Sequence, residues 1–287
     1  MGNVTSPGGV VVVGNNPVNL AVFGNATVIA GSGNDTITVN APGPSSVIVG
    51  NGDDVLTMFG LATVTAGSGN DQITLYQDGL VNAGNGNDTI TMFADGTVNA
   101  GNGNNLITTF GNDTINLGTG TDTVNVGAGS ATVTGSFGSD TLAAGSSTVF
   151  VDPLGVDKVS ALSGDATLVG GAAAMEFVGG SGSTHMVGGT GNDTFVGGSG
   201  QDTMSGGSGP NLFEFMAGTG GSHVITNFVS GHDQLYVEGY TLATLQAQHD
   251  ITVSGGNTYI TLDGGATSIE LKGVTNLHSS DITTTHK

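Results

Sequence analysis

Asp35, Asp71 and Asp88 close three copies of nearly the same six residues, AGSGND, AGSGND and AGNGND, and Asp54 closes GNGDD. The series runs on through Asn105 in AGNGNN, Asp122 in LGTGTD, Asp140 in GSFGSD and Asp157 in DPLGVD, and from Asp71 to Asp122 each step is 17 residues. A carboxylate at the exit of a glycine-rich turn is a hard oxygen donor, and glycine lets the neighbouring carbonyls turn toward the same point. One such turn cannot encircle an ion, but two stacked one coil apart offer about six oxygens. That donor set suits Ca2+ better than Mg2+, which gives up its water shell reluctantly. Asn-Gly and Asp-Gly pairs also make good turns on their own. Turn formation does not call for an acid, or its amide, in register eight times over, so the pattern reads as metal binding.

The elements that must hold these turns are short. In TITM, Thr89–Met92, Ile90 and Met92 alternate with Thr89 and Thr91, and in TVNA, Thr97–Ala100, Val98 and Ala100 share a face. Alternation over four residues between Gly/Asn/Asp turns predicts a half-buried strand. One strand, a turn, a second strand and another turn make one coil of 17 residues. Stacked coils would bury Ile37, Leu56, Ile73, Ile90, Ile107 and Val124 as one ladder, with Val64, Val81, Val98 and Ile115 on the opposite wall. Phe59, Tyr76, Phe93 and Phe110 also fall 17 apart, which predicts a packing column of rings along the second edge. Asp78, Asp95 and Asp113 on that edge read as turn residues. From about residue 155 the register halves to nine, with Met175, Thr184, Asp193, Asp202 and Asn211 at the acid position.

Composition narrows the function classes. Of 287 residues 53 are Gly, Asp and Glu total 23, and only three are Lys or Arg, for a net charge of −20. Such a chain repels nucleic acid and anionic membrane surfaces and cannot clamp phosphates. Its carboxylates would repel one another on folding unless cations were supplied. There is no Cys, hence no disulfide or thiolate metal site. No stretch reads as a membrane span, and MGNVTSPGGVVVVG lacks the features of an N-terminal signal peptide. HExxH, GxSxG and a cysteine nucleophile are all missing, and the six His stand singly at or beyond His185, so the chain reads as a non-enzyme.

GGTGNDTFV (188–196), GGSGQDTMS (197–205) and AGNGNDTIT (83–91) resemble the repeats-in-toxin (RTX) nonapeptide GGxGxDxUx, with U a large apolar residue. The resemblance spans about residues 30–275. It implies an all-β fold, a right-handed parallel β-roll (β-solenoid) with calcium-binding turns and a C-terminal β-rich cap. In that family the carbonyls of the second and fourth motif residues and the Asp ligate Ca2+ between successive turns. Carried onto this chain, the implied ligands are Gly31, Gly33 and Asp35, then Gly50, Gly52 and Asp54, then Gly67, Gly69 and Asp71. The next coils offer Gly84, Gly86 and Asp88, Gly101, Gly103 and Asn105, and Gly118, Gly120 and Asp122. Gly138, Asp140 and Asp157 follow in degraded form, and the nine-residue repeats add Gly189, Gly191 and Asp193, Gly198, Gly200 and Asp202, and Asn211. The chain departs from the family where every second motif of the 17-residue coil is an aromatic turn. At Asn105 the turn is kept and the charge lost, so calcium is expected to bind most weakly there.

The expected organisation is an apolar first coil at 1–29, a roll of 17-residue coils at 30–160, nine-residue half-coils at 161–215, and a capping and secretion region at 216–287. In the last, TLATLQAQ (241–248) reads as a short helix and NTYITLDGGATSIELKGV as a closing hairpin. The resemblance implies export by type I secretion machinery, which reads a C-terminal signal, and hence an extracellular or cell-surface location without an N-terminal signal peptide. Calcium at roughly 10⁻⁴–10⁻³ M outside cells would then drive folding, because the sites do not exist in the unfolded chain. The leading function is a secreted structural protein, a biofilm-matrix, surface-layer or filament subunit, self-associating head-to-tail through its solenoid ends. Two alternatives are a secretion and folding module of a larger toxin or hydrolase, and an ice- or surface-binding solenoid using outward Thr57, Thr74, Thr91 and Thr108 with Asn82, Asn99 and Asn116.

Overall fold

The structure, a computed structural model, describes residues 3–6, 9–135, 138–145, 148–152 and 154–286, and for 3–6 only the backbone. Gly8 of the apolar N-terminal stretch, Ser136 and Phe137 of the GSFGSD turn and Pro153 of DPLGVD lie outside the described residues. The chain forms two units, Met1–Thr141 and Leu142–Lys287. Each is a parallel β-solenoid, and the chain as a whole is all-β of the β-roll kind. Its one α-helix among the described residues is Leu242–Gln248.

In the first unit, strands alternate between two parallel sheets. Thr36–Asn40, Val55–Met58, Gln72–Leu75, Thr89–Met92, Leu106–Thr109 and Thr123–Val126 lie side by side in one. Ser45–Ile48, Ala62–Thr65, Gly79–Asn82, Gly96–Asn99, Asp113–Asn116 and Ala131–Thr134 lie side by side in the other. The register is the one the spacing predicts: Ile37, Leu56, Ile73, Ile90, Ile107 and Val124 are successive partners. They face Val47, Val64, Val81, Val98, Ile115 and Val133, and both ladders are fully buried. Burying each such side chain is worth about 1.5–3 kcal/mol, and a short strand needs that help because it buries little on its own. On the outer face Asn99 and Asn116 each donate a side-chain amide hydrogen to the Asn one coil earlier, at 2.7 and 2.8 Å.

The second unit has wider coils, with partners 18 residues apart, and a core built from larger side chains. Phe177, Phe195 and Phe213 stack at 5.1 and 4.9 Å where the first unit uses Ile. Met186 and Met204 fill the opposite wall. The helix at Leu242–Gln248 begins at Thr241, whose hydroxyl accepts from the Thr244 N–H, and ends at His249 in the left-handed region (φ 61°). Asn257–Leu262 and Thr267–Leu271 form the closing hairpin, and Ile251–Ser254 adds a further antiparallel strand.

Candidate calcium sites

The 17-residue step places each acid-tipped turn over its neighbour, and the backbone and side chains lock together in a repeated way. The N–H of Asp35 donates to Asp54 Oδ1 (2.7 Å), that of Asp54 to Asp71 Oδ1 (2.8 Å), and that of Asp71 to Asp88 Oδ1 (2.8 Å). The chain of bonds continues from Asp88 to Asn105 Oδ1 (3.0 Å), Asn105 to Asp122 (2.8 Å) and Asp122 to Asp140 (2.8 Å). In the second unit, Met175 donates to Asp193 (2.9 Å), Asp193 to Asn211 (3.1 Å) and Asn211 to Asp233 (2.9 Å). Each carboxylate therefore spends one oxygen on the previous coil.

The other oxygen is what matters chemically. Oδ2 of Asp35, Asp54, Asp71, Asp88, Asp122 and Asp193 is buried and accepts no hydrogen bond, and each of these residues is at most 2% exposed. A buried carboxylate oxygen without a donor costs free energy that only a proton or a cation recovers. Burial accordingly pushes Asp71 up to about 7 and Asp54 and Asp193 up to about 6, with the adjacent carboxylates adding to the rise at Asp54 and Asp71. Asp35, Asp88 and Asp122 are raised for the same first reason. Backbone carbonyls crowd the same edge. Gly86 has φ 141°, and a methyl group there would run into the Gly69 carbonyl oxygen, so the turn admits only glycine. At the aspartate-tipped turns the buried donors are thus oxygens, carboxylate and carbonyl, which is the set a hard divalent cation takes.

The amides in the column behave differently. Asn105 Nδ2 points at the Gly103 carbonyl (3.4 Å), and Asn211 Nδ2 donates to the Gly209 carbonyl at 2.6 Å. In both, the side chain turns N–H groups toward the carbonyl that a cation would use, so the turn is closed from within.

Not every predicted ligand falls in the column. Asp202 lies on the opposite edge of the second unit, paired in register with Thr184 and His223. Its Oδ2 accepts from the Gly198 N–H (3.1 Å) and sits 3.0 Å from His223 Nδ1, with both side chains buried, and its Oδ1 has no hydrogen-bond partner, as in the column. The His ring packs against Phe215 at 5.0 Å. Asp233, absent from the sequence expectations, is in the column: it receives the Asn211 N–H on Oδ1 and the Val229 N–H on Oδ2 (2.9 Å). The sequence signal that could have found it is the Gly231-x-Asp233 remnant in SGHD. Asp113, expected as a turn residue, instead opens a strand with its side chain buried in register with Gly96 and Ala131.

One Ser, His and Asp do meet, but as a staple. Ser230 Oγ donates to Asp281 Oδ2 (2.6 Å), and the same carboxylate accepts from the Gly231 and His278 N–H groups (2.8 Å each). Ser230 Oγ also lies 2.9 Å from His278 Nδ1, but its own hydrogen goes to Asp281, so the three side chains tie the 230 loop to the C-terminal segment.

A stacked column of glycine turns with inward carboxylates defines a calcium-binding β-roll. The family model described as the RTX calcium-binding nonapeptide repeat (4 copies) matches residues 21–41, 99–133 and 178–213. The chain therefore carries RTX calcium-binding repeats, and Ca2+ is the ion that several of its turns bind. Among solved structures it is similar to the solution structure of the AlgE6R3 subunit from the Azotobacter vinelandii mannuronan C5-epimerase. That match has 25% sequence identity, covers 42% of this chain and 78% of that chain, and has a TM-score of 0.36. No curated protein matches the chain. Among the described residues no helix is long and apolar enough to cross a membrane.

Proposed function

We propose that this chain is a secreted structural protein that folds when it meets extracellular calcium and then associates with copies of itself. The observation that carries the reading is the row of buried Asp Oδ2 atoms without partners. Without a cation those carboxylates oppose folding, so a chain made where calcium is scarce stays threadable, and one delivered outside the cell closes into the roll. Export by type I secretion machinery fits that order of events. No motif for covalent chemistry accompanies the repeats in the sequence.

Self-association is supported by the strand Gly9–Val12, which pairs only with Ala26–Ile29 among the described residues. Val10 and Val12 on it are 75% and 69% exposed. An open, apolar strand edge is a template for another chain, and head-to-tail contact between copies need not close into a ring. A filament, surface layer or matrix component is the product. Circular dichroism across a calcium titration, with light scattering in parallel, tests both halves. β signal and scattering should rise together. A calcium-independent β signal overturns the folding reading, and a calcium-folded chain that stays monomeric at high concentration overturns the assembly reading.

A further inference from the structure

The turn at 152–157, DPLGVD, carries an acid at both ends. Asp157 is the expected acid tip. Asp152 stands five residues earlier, where the other turns place Ala30, Val49, Ala66, Ala83, Ala100 and Leu117, all buried. In the second unit that position faces the acid tip directly: a methyl group on Gly206 would lie 2.4 Å from Asn211 Nδ2. A carboxylate there is therefore delivered into the turn.

The structure bears this out in detail. Asp152 is fully buried, and its Oδ1 accepts the N–H groups of Leu154 (2.7 Å) and Gly155 (2.8 Å), which folds the turn around it. Its Oδ2 is left without a hydrogen-bond partner. Carboxylate oxygens of Asp152 and Asp157 lie within 4.8 Å of one another. Both face the same small space: a methyl group on Gly155 would come 2.5 Å from Asp152 Oδ2 and 2.8 Å from an Asp157 oxygen. The orphaned Asp152 Oδ2, buried and facing a second carboxylate across a space that a single methyl group would fill, calls for a positive charge there.

We propose that the 152–157 turn is a calcium site in its own right, with Asp152 as an added ligand beside Asp157, and that it binds more tightly than the single-carboxylate turns. The inference rests on the calcium reading of the acid column. Ligand charge count is one of the levers that set calcium affinity, and this turn supplies two buried carboxylates where the others supply one, since the second acid of the 50–54 turn, Asp53, is exposed. It has also lost the Gly-x-Gly pair, so the second acid takes over what backbone carbonyls do elsewhere.

The test is calcium binding to the full chain by isothermal titration, comparing wild type with Asp152→Asn, Gly155→Ala and Asp88→Asn. Asparagine keeps an Oδ1 acceptor for the Leu154 and Gly155 N–H groups but removes the charge. The expected result for Asp152→Asn is the loss of one ion from the tightest phase, or at least a tenfold weakening of that phase. Gly155→Ala fills the space without removing any charge, should lose the same ion, and decides the matter if Asp152→Asn does not fold. Unchanged binding in whichever of these variants folds, with Asp88→Asn still losing an ion, overturns the proposal and makes Asp152 a turn former only. If neither wild type nor any variant binds calcium, the reading of the whole column falls with it.

Discussion

Each coil of the first unit turns twice, and the two turns meet solvent in opposite ways. At the acid edge Asp71 and Asp88 are almost fully buried, and each keeps a carboxylate oxygen with no donor. At the other edge Phe59, Tyr76, Phe93 and Phe110 stand 41–46% exposed and stack at 4.8, 5.0 and 5.3 Å with planes within 8° of parallel. The carboxylate of Asp95 on that edge is in contact with water and accepts both the backbone and side-chain N–H groups of Asn112. The stacked rings and Asp95 are thus completed by the chain's own atoms, whereas the acid tips are completed only by a cation or protons. Because both edges close the same short strands, an open acid edge also undoes the ladder of Ile73, Ile90 and Ile107 between them.

The largest expected effect follows directly. Chelating calcium near neutral pH should abolish the β signal, and restoring calcium should return it. The sign of the pH dependence sharpens the point. The raised carboxylates, Asp71 at about 7 and Asp54 at about 6, hold more protons folded than unfolded. Their protonation stabilises the cation-free fold fully below about pH 4 and is lost as pH rises through about 7. In chelator, then, the chain should regain part of its β signal near pH 5 and lose it near pH 8. A cation-free chain that is fully folded at pH 8 would erase the distinction between the edges.

Paired substitutions across one coil come next. Asp88→Asn keeps the oxygen that takes the Asp71 N–H but should lower the number of bound calcium ions. Phe93→Ala removes a ring from the stack and should cost about 1–3 kcal/mol, less than a fully buried Phe because nearly half of it is exposed. It should leave the ion count unchanged. Titration calorimetry reads the count and denaturant unfolding at saturating calcium reads the stability. The comparison breaks if Phe93→Ala loses an ion.

Most of this was legible from the sequence because stacking is unforgiving. A coil of fixed length puts Ile90 over Ile73 whatever the turns do, so the ladders, the aromatic column and the acid column all follow from one interval. What escaped reading depends on things the interval does not encode. Asp202 and Asp193 sit in near-identical nine-residue words, yet successive half-coils turn at opposite edges, so the words place their buried carboxylates on different edges. Asp233 follows Asn211 by 22 residues, which breaks the register through an inserted loop. Asp152 and Asp113 replace small or apolar inward residues, and a letter pattern tuned to the acid tip does not look there.

Asp113 gives a smaller effect, read through its protonation. It lies toward the aromatic edge, and Thr109 occupies the place that Leu75 and Met92 hold in earlier coils. Burial is the main cause that pushes its carboxyl up to about 6, with Asp95 nearby adding to the rise, and neither carboxylate oxygen has a hydrogen-bond partner within bonding geometry. A folded value above the unfolded one means stability present below about pH 4 and lost as pH rises through about 6. In calcium-saturated protein, stability should fall by on the order of 1 kcal/mol across that window, and Asp113→Asn should flatten the fall. An unchanged slope in the variant would return Asp113 to the class of ordinary turn residues.

The smallest change tests the contrast inside the acid edge itself. Asn105 does for the ladder what an aspartate does, accepting the Asp88 N–H at 3.0 Å and passing its own N–H to Asp122. It differs only in the second atom, where Nδ2 faces the Gly103 carbonyl at 3.4 Å and an aspartate would present a bare oxygen. The amide therefore satisfies the turn without a cation, at the cost of a donor pointing into the ion's position. Asn105→Asp restores the charge and removes that donor in one step, with no change of shape. It should add one calcium ion to the wild-type count, or tighten the sites shared with Asp88 and Asp122 several-fold. It should also make the coil more sensitive to chelator, since the new carboxylate is buried like its neighbours. A variant that binds calcium as the wild type does would mean that the carbonyls and the flanking carboxylates already complete those sites, and that the orphaned Oδ2 atoms are not what calls the ion in.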